Sequence, residues 1–259
     1  MAARTWRIAG IGSYGHYGQV LGQFAERGGV EAVGWAPGFA EDSPEGWRRR
    51  NLARDDLPVF RDAREMLQSA RPDITVISTR LALIGPLGIA AAEAGSHLVC
   101  EKPLATEHGV LRELYDAVRA AGVECCAMLS MRQQPVILAA RRCCREGRLG
   151  RVVLANAMKS YKWNRRPAWY GDRARYGGTI GWVGIHTFDF IRFITRLDIR
   201  SVAAMQSNLD HPDYPGCEDS SVLIMTLDNG AHATATLDYF RPGSAEGHGD
   251  HGIRVVGTQ

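Results

Sequence analysis

The chain has 259 residues, of which 45% are hydrophobic, and its 31 basic and 28 acidic residues leave a formal net charge of +3. A chain of this length buries roughly three quarters of its unfolded surface, so we expect one or two domains with a substantial core. The weak charge balance argues against a nucleic-acid or anionic-membrane partner, and no apolar run is long enough to span a membrane.

The cysteines and the N-terminal residues bear on the cellular compartment. Six cysteines include two adjacent pairs and no CxxC spacing, which argues against a metal site and favours reduced, buried thiols. The first residues lack the apolar segment of a signal peptide. We therefore expect a cytoplasmic protein without a bound metal.

A glycine-rich turn follows the first predicted strand. Gly10, Gly12 and Gly15 match the pattern GxGxxG and precede a predicted helix with one apolar face. These glycines allow a tight turn and a close approach of the backbone to a pyrophosphate, which the helix N-terminus then binds. We therefore predict that this turn, including Ser13 and Tyr14, binds a dinucleotide.

The second strand, predicted over residues 30–36, lacks the acid that usually follows it. Ala36-Pro37-Gly38 stands where an Asp or Glu is expected to bind the adenosine ribose, and no arginine for a 2′-phosphate follows at once. Glu41, Asp42 and Arg48–Arg50 are the candidates to replace that acid or that arginine. The sequence leaves both NAD and NADP open.

Strands and helices alternate through the first half of the chain. Helices are predicted over residues 62–70, 85–94 and 106–121, and strands over 74–78, 98–101 and 123–128. This alternation is typical of parallel βαβ units in a doubly wound sheet, so the predicted fold class is α/β.

One of these strands ends in an acid, a lysine and a proline, Glu101-Lys102-Pro103. Because proline cannot donate to a sheet and restricts the residue before it, the strand should stop at Lys102. Ligands of open α/β sheets bind at the carboxyl ends of the strands. The Lys102 amine is therefore predicted to stand where a ligand binds.

The alternation stops after a helix predicted over residues 135–147 and a strand over 152–158. In the aromatic and basic loop that follows, Trp163 and Trp169 suit a sugar or polyol ring as well as they suit plain loop packing. A helix predicted from Trp182 onward places His186 and Asp189 on one face. A histidine with an acid beside it can move a proton, although a buried structural histidine is the alternative.

The rest of the chain predicts a second sheet. Strands are expected over residues 199–209, 221–227, 231–239 and 253–256, and Asp228-Asn229-Gly230 predicts a hairpin. Residues 241–252, which are rich in Gly and His, are predicted to be a mobile loop. His248, Asp250 and His251 in this loop are not assigned to a metal, because nothing in the sequence fixes their geometry.

Together these motifs resemble the Gfo/Idh/MocA oxidoreductases, the family of glucose–fructose oxidoreductase and inositol 2-dehydrogenase. The resemblance rests on the glycine turn, the stretch 91–105 around Glu-Lys-Pro, Arg132-Gln133-Gln134-Pro135, the double glycine before His186, and Glu218-Asp219. It implies an N-terminal Rossmann domain, which we place at residues 1–124. It also implies a C-terminal α/β domain at residues 125–259, whose open, mostly antiparallel sheet would form a dimer or tetramer.

The resemblance also implies a reaction, in which a hydride moves between NAD or NADP and a carbinol carbon of a sugar or polyol. It implies that Lys102 hydrogen-bonds the reacting hydroxyl, that His186 accepts its proton and that Asp189 holds a neighbouring hydroxyl. Thr79, Glu101 and Lys102 are expected beside the cofactor. Two alternatives stay open: a catalytically weak dinucleotide-binding regulatory protein, and a redox-neutral, NAD-assisted glycosidase.

Three departures from the family pattern stand out. Trp182 replaces an aspartate four residues before the histidine, where it would stack on a sugar face or fill the pocket. Thr79-Arg80 and Ile84 replace a Thr-Pro pair and a downstream histidine near the nicotinamide ribose. The C-terminal domain is short against the family pattern.

Overall fold

The computed structural model describes residues 4–49 and 56–259. The chain divides into two compact units, Met1–Met128 and Leu129–Gln259, and a five-stranded sheet lies at the centre of each. None of the described helices is both long enough and apolar enough to cross a lipid bilayer.

The sheet of the first unit is entirely parallel. Its strands are β1 (Trp6–Ile11), β2 (Val30–Ala36), β3 (Ile74–Ile77), β4 (His97–Cys100) and β5 (Cys125–Ala127). The helices are α1 (Tyr17–Arg27), α2 (Glu45–Arg48), α3 (Ala63–Ala70), α4 (Leu81–Glu93) and α5 (His108–Ala121). The strand order β2-β1-β3-β4-β5 confirms the predicted doubly wound sheet.

This strand order creates a switch point beside β1. The chain leaves β1 for β2 on one side and returns to β3 on the other. A crevice forms at such a point, at the carboxyl ends of the two strands, because their connections run in opposite directions. The glycine turn follows β1 and Ser78-Thr79 follows β3, so the fold brings both segments to this crevice.

The second unit carries a mixed sheet of mostly antiparallel strands. Its elements are α6 (Pro135–Arg145), β6 (Val152–Tyr161), α7 (Arg173–Tyr176), α8 (Ile185–Thr195), β7 (Ile199–Ser207), β8 (Ser220–Leu227), β9 (His232–Asp238) and β10 (Gly249–Gly257). The order is β10-β6-β9-β8-β7, and only the β6–β9 pair is parallel among these strands. The predicted open, mostly antiparallel sheet is confirmed.

One face of this second sheet is covered by helices. Side chains on that face are buried at alternate positions, as the period of two in a strand requires. Phe190 and Ile194 of α8 pack against Ile137 of α6 in a small buried cluster, and Ile253 of β10 packs on it. The face therefore carries the core of the second unit.

The prediction of a mobile loop over residues 241–252 is wrong at its end. β10 begins at Gly249, because residues 249–251 pair in antiparallel register with Tyr161, Ser160 and Lys159 of β6. A glycine- and histidine-rich segment has weak strand propensity, and the pairing with β6 overrides it. Asp250 and His251 therefore lie in a strand, at fixed places in the sheet.

Candidate active site

The glycine turn is held against the end of β3. Tyr14 N donates to Ser78 O at 2.8 Å, and Ser78 Oγ donates to Tyr14 O at 2.5 Å. Gly12 and Gly15 adopt φ angles of +80° and +103°, which residues other than glycine rarely adopt. The predicted turn therefore lies at the crevice beside β1.

The chain itself fills the space that side chains at these glycines would need. A Cβ at Gly10 would lie 2.2 Å from Cζ2 of the buried Trp47, and a Cβ at Gly15 would lie 2.2 Å from Glu101 Oε2. The indole nitrogens of Trp35 and Trp47 both donate to Gly12 O, at 3.0 and 3.2 Å. The backbone of the turn is thus held closely from both sides.

Glu101 connects the glycine turn to the lysine. Its buried carboxylate accepts a hydrogen bond from His16 N at 2.6 Å and lies 2.8 Å from His16 Nδ1, while its other oxygen accepts from Lys102 N at 2.9 Å. Burial by itself raises the pKa of Glu101, but the hydrogen bonds from His16 and the charge of Lys102 outweigh it and lower the pKa. Glu101 is therefore ionised, and it is bound to His16, the residue that precedes α1.

Lys102 is buried two residues after the end of β4. The proline after it prevents continuation of the strand, and the Lys102–Pro103 peptide is cis. The Lys102 amine thus lies at the carboxyl edge of the parallel sheet, next to the ionised Glu101. A cation in this position can stabilise negative charge that develops on a substrate oxygen.

Of the acids that could replace the one missing after β2, Asp42 is the one that is hydrogen-bonded to the glycine turn. Its carboxylate accepts hydrogen bonds from Ser13 N at 3.2 Å, Gly38 N at 3.0 Å, Phe39 N at 3.2 Å and Thr79 Oγ1 at 3.0 Å. Burial raises the pKa of Asp42 in spite of these hydrogen bonds. The carboxylate is therefore fixed against the glycine turn.

The other candidates for that role have different partners. Glu41 binds Arg80 at 3.0 Å, and Arg48 binds Glu45 at 2.8 Å. Arg49 lines an open cleft beside the turn, together with Ser13 and Tyr17. Arg50 lies outside the described residues.

The first unit fits a dinucleotide. The turn leaves no room for side chains at its glycines, and the cleft beside Ser13, with a positive charge from Arg49, suits a pyrophosphate. Asp42 places a carboxylate beside the turn, where a ribose diol can donate to it.

In the second unit, Asp189 is paired with an arginine. Arg132 Nε donates to both carboxylate oxygens of Asp189 at 2.8 and 2.9 Å, and Arg132 Nη2 donates as well. Arg132 lies in the 3₁₀ turn Ser130–Gln133, which this ion pair binds to α8. The sequence showed both residues but not their pairing, because they are 57 positions apart.

His186 follows a π-helical turn. The sequence predicts an α-helix that begins at Trp182. In the structure, Ile180–Gly184 form a π-turn and the α-helix begins at Ile185. Gly184 lies so close to β9 that a Cβ there would be 2.8 Å from Leu237 Cδ1. Such π-turns are frequent at functional sites. Trp182 and His186 are both buried.

Comparison with known proteins identifies the family. Residues 40–128 match a family described as oxidoreductase family, NAD-binding Rossmann fold, and residues 137–259 match the GFO/IDH/MocA C-terminal domain. A solved structure of an oxidoreductase from Thermotoga maritima is 34% identical, with a TM-score of 0.90 over 97% of this chain and 77% of that one. The chain belongs to the Gfo/Idh/MocA oxidoreductase family. The predicted family and the NAD-binding Rossmann fold are confirmed.

Two curated relatives illustrate the range of this family. Levoglucosan dehydrogenase of Pseudarthrobacter phenanthrenivorans is 32% identical over 130 residues, 48% of this chain and 33% of that protein. The scyllo-inositol 2-dehydrogenase (NAD(+)) of Bacillus subtilis is 26% identical over 247 residues, 92% of this chain and 71% of that protein. The chain spans between 33% and 58% of the length of several such relatives.

The two loop tryptophans of this Gfo/Idh/MocA chain lie in an aromatic cluster. Trp163 stacks on His211 with ring centroids 3.7 Å apart, and its edge meets Tyr239 at 5.3 Å. Trp169 is buried against Tyr170 and Tyr176. Both rings therefore pack against other aromatic side chains of the second unit.

The acids Glu218 and Asp219, which carried part of the resemblance, support that cluster. Asp219 accepts from Leu209 N and lies 2.9 Å from His211 Nδ1, which fixes the ring under Trp163. Glu218 accepts from Thr179 N at 2.9 Å and pairs with Arg173. These acids therefore hold loops of the second unit in place.

Three features of the site were missed from the sequence. His16 binds Glu101, Arg132 pairs with Asp189, and Lys159 is buried in β6. Lys159 alone left a signal, since it follows Ala155 and Ala157 at alternate positions on a buried strand face.

We predict that Gly10→Ala destabilises the first unit, because the new methyl group would overlap Trp47. The loss in the free energy of unfolding should be about 1–3 kcal/mol, the usual effect of overpacking. Gly22→Ala is the matched control, since nothing lies within 4 Å of its Cβ position in α1. It should stabilise the protein by roughly 0.5–1 kcal/mol. Urea unfolding of both variants checks this, and equal stability of the two would contradict the packing described.

Proposed function

We propose that this chain is an NAD-dependent dehydrogenase that oxidises a carbinol of a sugar or polyol. The observation that carries the proposal is the position of Glu101, which accepts hydrogen bonds from His16 N and from the backbone N of Lys102. Glu101 thus joins the residue after the glycine turn to the backbone that carries the buried Lys102, at the ligand-binding edge of the sheet. The first unit would bind the cofactor, as predicted for residues 1–124, and the second, predicted as 125–259, would bind substrate.

Lys102 and His186 have distinct roles in this proposal. The Lys102 ammonium donates to the reacting hydroxyl and stabilises its alkoxide character. A ring nitrogen of His186 accepts the hydroxyl proton. When bound, the nicotinamide supplies the hydride acceptor. The carbinol loses a hydride and a proton and becomes a carbonyl.

The relatives support this substrate class. Levoglucosan dehydrogenase, D-apiose dehydrogenase and scyllo-inositol 2-dehydrogenase (NAD(+)) are named for sugar or polyol substrates. The alternatives of a silent regulatory binder and a redox-neutral glycosidase are not favoured by these matches. Trp182 and Asp189 remain part of the proposed substrate-binding surface, Asp189 through its ion pair with Arg132. The aromatic loop with Trp163 and Trp169 is proposed as its outer wall.

Asp42 supports NAD over NADP. A ribose diol can donate hydrogen bonds to its carboxylate, whereas the negative charge of a 2′-phosphate would be repelled. The nearby Arg48 and Arg80 are already paired with Glu45 and Glu41.

Six free thiols support the expected cytoplasmic location. Cys100 and Cys217 are buried, and none of the six forms a disulfide. Reduced cysteines are typical of a compartment that keeps thiols reduced.

We predict that Lys102→Met lowers kcat by about 100- to 1000-fold, because the alkoxide loses its charge partner. The dissociation constant for NAD should change by less than about fivefold, the equivalent of roughly 1 kcal/mol. The matched control is Lys162→Met, since Lys162 donates only to loop carbonyls such as Gly243 O. Stopped-flow or steady-state NADH absorbance measures kcat, and NAD titration measures affinity. Unchanged turnover in Lys102→Met would exclude the proposed role.

We predict that Asp42→Ala weakens NAD binding by about 10-fold or more, since a hydrogen bond to a charged group contributes roughly 1.5–3 kcal/mol. NADP binding should weaken less or improve, so the ratio of the two affinities falls. Glu41→Ala is the control, because Glu41 is an exposed acid of the same loop that binds Arg80. Titration of each variant with NAD and NADP measures this ratio. The same ratio in all three proteins would show that Asp42 does not select the cofactor.

We also propose that the uncovered face of the second sheet forms a homo-oligomer, a dimer or tetramer. Met205 on β7 and Val222 and Ile224 on β8 expose 48–81% of their surface on that face. Contiguous apolar patches of this kind mark association surfaces on folded proteins.

Ile224→Lys should therefore shift the protein to a monomer, because a lysine charge would be buried in the assembly. Val136→Lys is the control, since Val136 is an equally exposed apolar residue at the start of α6. Light scattering after size-exclusion chromatography gives the mass of each variant. A wild-type monomer, or an Ile224→Lys variant with unchanged oligomeric mass, would contradict the proposed interface.

A further inference from the structure

Lys159 is a cation on the covered face of the second sheet. It follows Ala155 and Ala157 at alternate positions of β6, and only 2% of its surface is exposed. Across the sheet it is paired with His251 of β10 on one side and Leu237 of β9 on the other. A lysine is almost never placed fully inside a protein unless a charge compensates it.

The described residues supply no such charge. Lys159 Nζ lies 3.2 Å from Met131 Sδ and 4.8 Å from the centroid of the Tyr161 ring. Within residues 4–49 and 56–259, no carboxylate lies within the 4.0 Å of an ion pair. Burial lowers the pKa of Lys159 to about 8, and the more distant charge of Asp250 offsets this only in part.

The residues around Lys159 also contact α8, the helix that carries His186. In the 3₁₀ turn, Met131 contacts Lys159 and Arg132 binds Asp189 of α8. Gln134, the residue after the turn, has its Oε1 2.9 Å from His251 Nε2. The turn and the residue after it therefore contact β6, α8 and β10. Lys159 belongs to the group of polar side chains that surrounds α8.

The ionisable groups around Lys159 do not balance its charge. On α8, the carboxylate of Asp189 is neutralised by Arg132, and His186 carries no negative charge. On the adjacent segments, burial and the charge of Lys159 lower the pKa values of His248 and His251, so both are neutral at pH 7. Among the described residues, Asp250 is the acid whose charge acts on Lys159, and it is bound to Arg241. An anionic ligand would supply the charge that these side chains do not.

We propose that Lys159 binds a carboxylate of the substrate, so that the substrate is an acidic sugar or polyol, such as a uronate or an aldonate. This rests on the proposed function, and it names the substrate class of that site. A single ammonium matches the single charge of a carboxylate, whereas a doubly charged phosphate needs further cations. Lys159 selects the substrate, while Lys102 and His186 act on its hydroxyl.

The first test measures binding without turnover. Isothermal titration of the protein with NADH bound, using glucuronate, gluconate and glucose 6-phosphate against neutral glucose and myo-inositol, gives the preference directly. We expect at least one carboxylate to bind 10-fold or more tightly than its neutral counterpart. Equal or weaker binding of both carboxylates, or preference for the phosphate, overturns the proposal.

Lys159→Met separates this role from plain packing. The dissociation constant of the preferred carboxylate should rise about 30-fold or more, while neutral sugars change by less than 3-fold. Lys159→Arg should restore part of the affinity, and Arg61→Met, at an exposed cation of the first unit, should match the wild type. Removal of a buried, unpaired charge should also raise the Tm of Lys159→Met at pH 7. A carboxylate affinity that is unchanged in Lys159→Met contradicts the proposal.

The pH dependence has a definite sign. The ammonium is protonated below about pH 8 and neutral above it. The dissociation constant for the carboxylate should therefore be constant below that pH and rise about tenfold per unit above it, while that for neutral sugars stays flat. Binding that follows this profile without NADH formation would support the carboxylate site and reject the dehydrogenase. NADH formation from neutral sugars alone would support the dehydrogenase and reject the carboxylate site.

Discussion

The carboxylate of Glu101 is the interaction on which the first unit depends. It is buried, and it accepts hydrogen bonds both from the backbone N of His16, the residue before α1, and from the backbone N of Lys102. An ionised carboxylate in the interior is stable only because these donors and the lysine charge compensate its burial. The glycine turn, the start of α1 and the end of β4 are thereby fixed relative to each other.

The buried charges of the second unit differ in whether they have an ion-pair partner. Its buried acids are paired, Asp189 with Arg132 and Glu218 with Arg173, whereas its buried lysine is not. Paired charges hold the turn and the loops of this unit around α8. An unpaired buried cation destabilises the fold, and such residues concentrate at functional sites for that reason. The contrast separates the charges that build the unit from the one that remains for a ligand.

Much of the first unit could be predicted from the sequence, because glycine and proline impose local constraints. The glycine turn after β1 and the end of β4 before Pro103 lie where these residues place them. Asp42 could not be singled out from Glu41, because only the folded loop shows which carboxylate reaches Ser13 N. The pairing of Arg132 with Asp189 was hidden for the same reason, since it joins distant segments. β10 was missed because pairing with β6, and not local propensity, forms it.

The most direct test of the central claim is NADH absorbance with purified protein, on a panel of neutral and acidic sugars and polyols, with NAD and NADP in parallel. NAD binding is established first by titration, so that a negative result has a meaning. The account predicts that absorbance at the NADH wavelength grows with at least one substrate and with NAD in preference to NADP. No reduction of either cofactor by any substrate, with NAD binding intact, would contradict it.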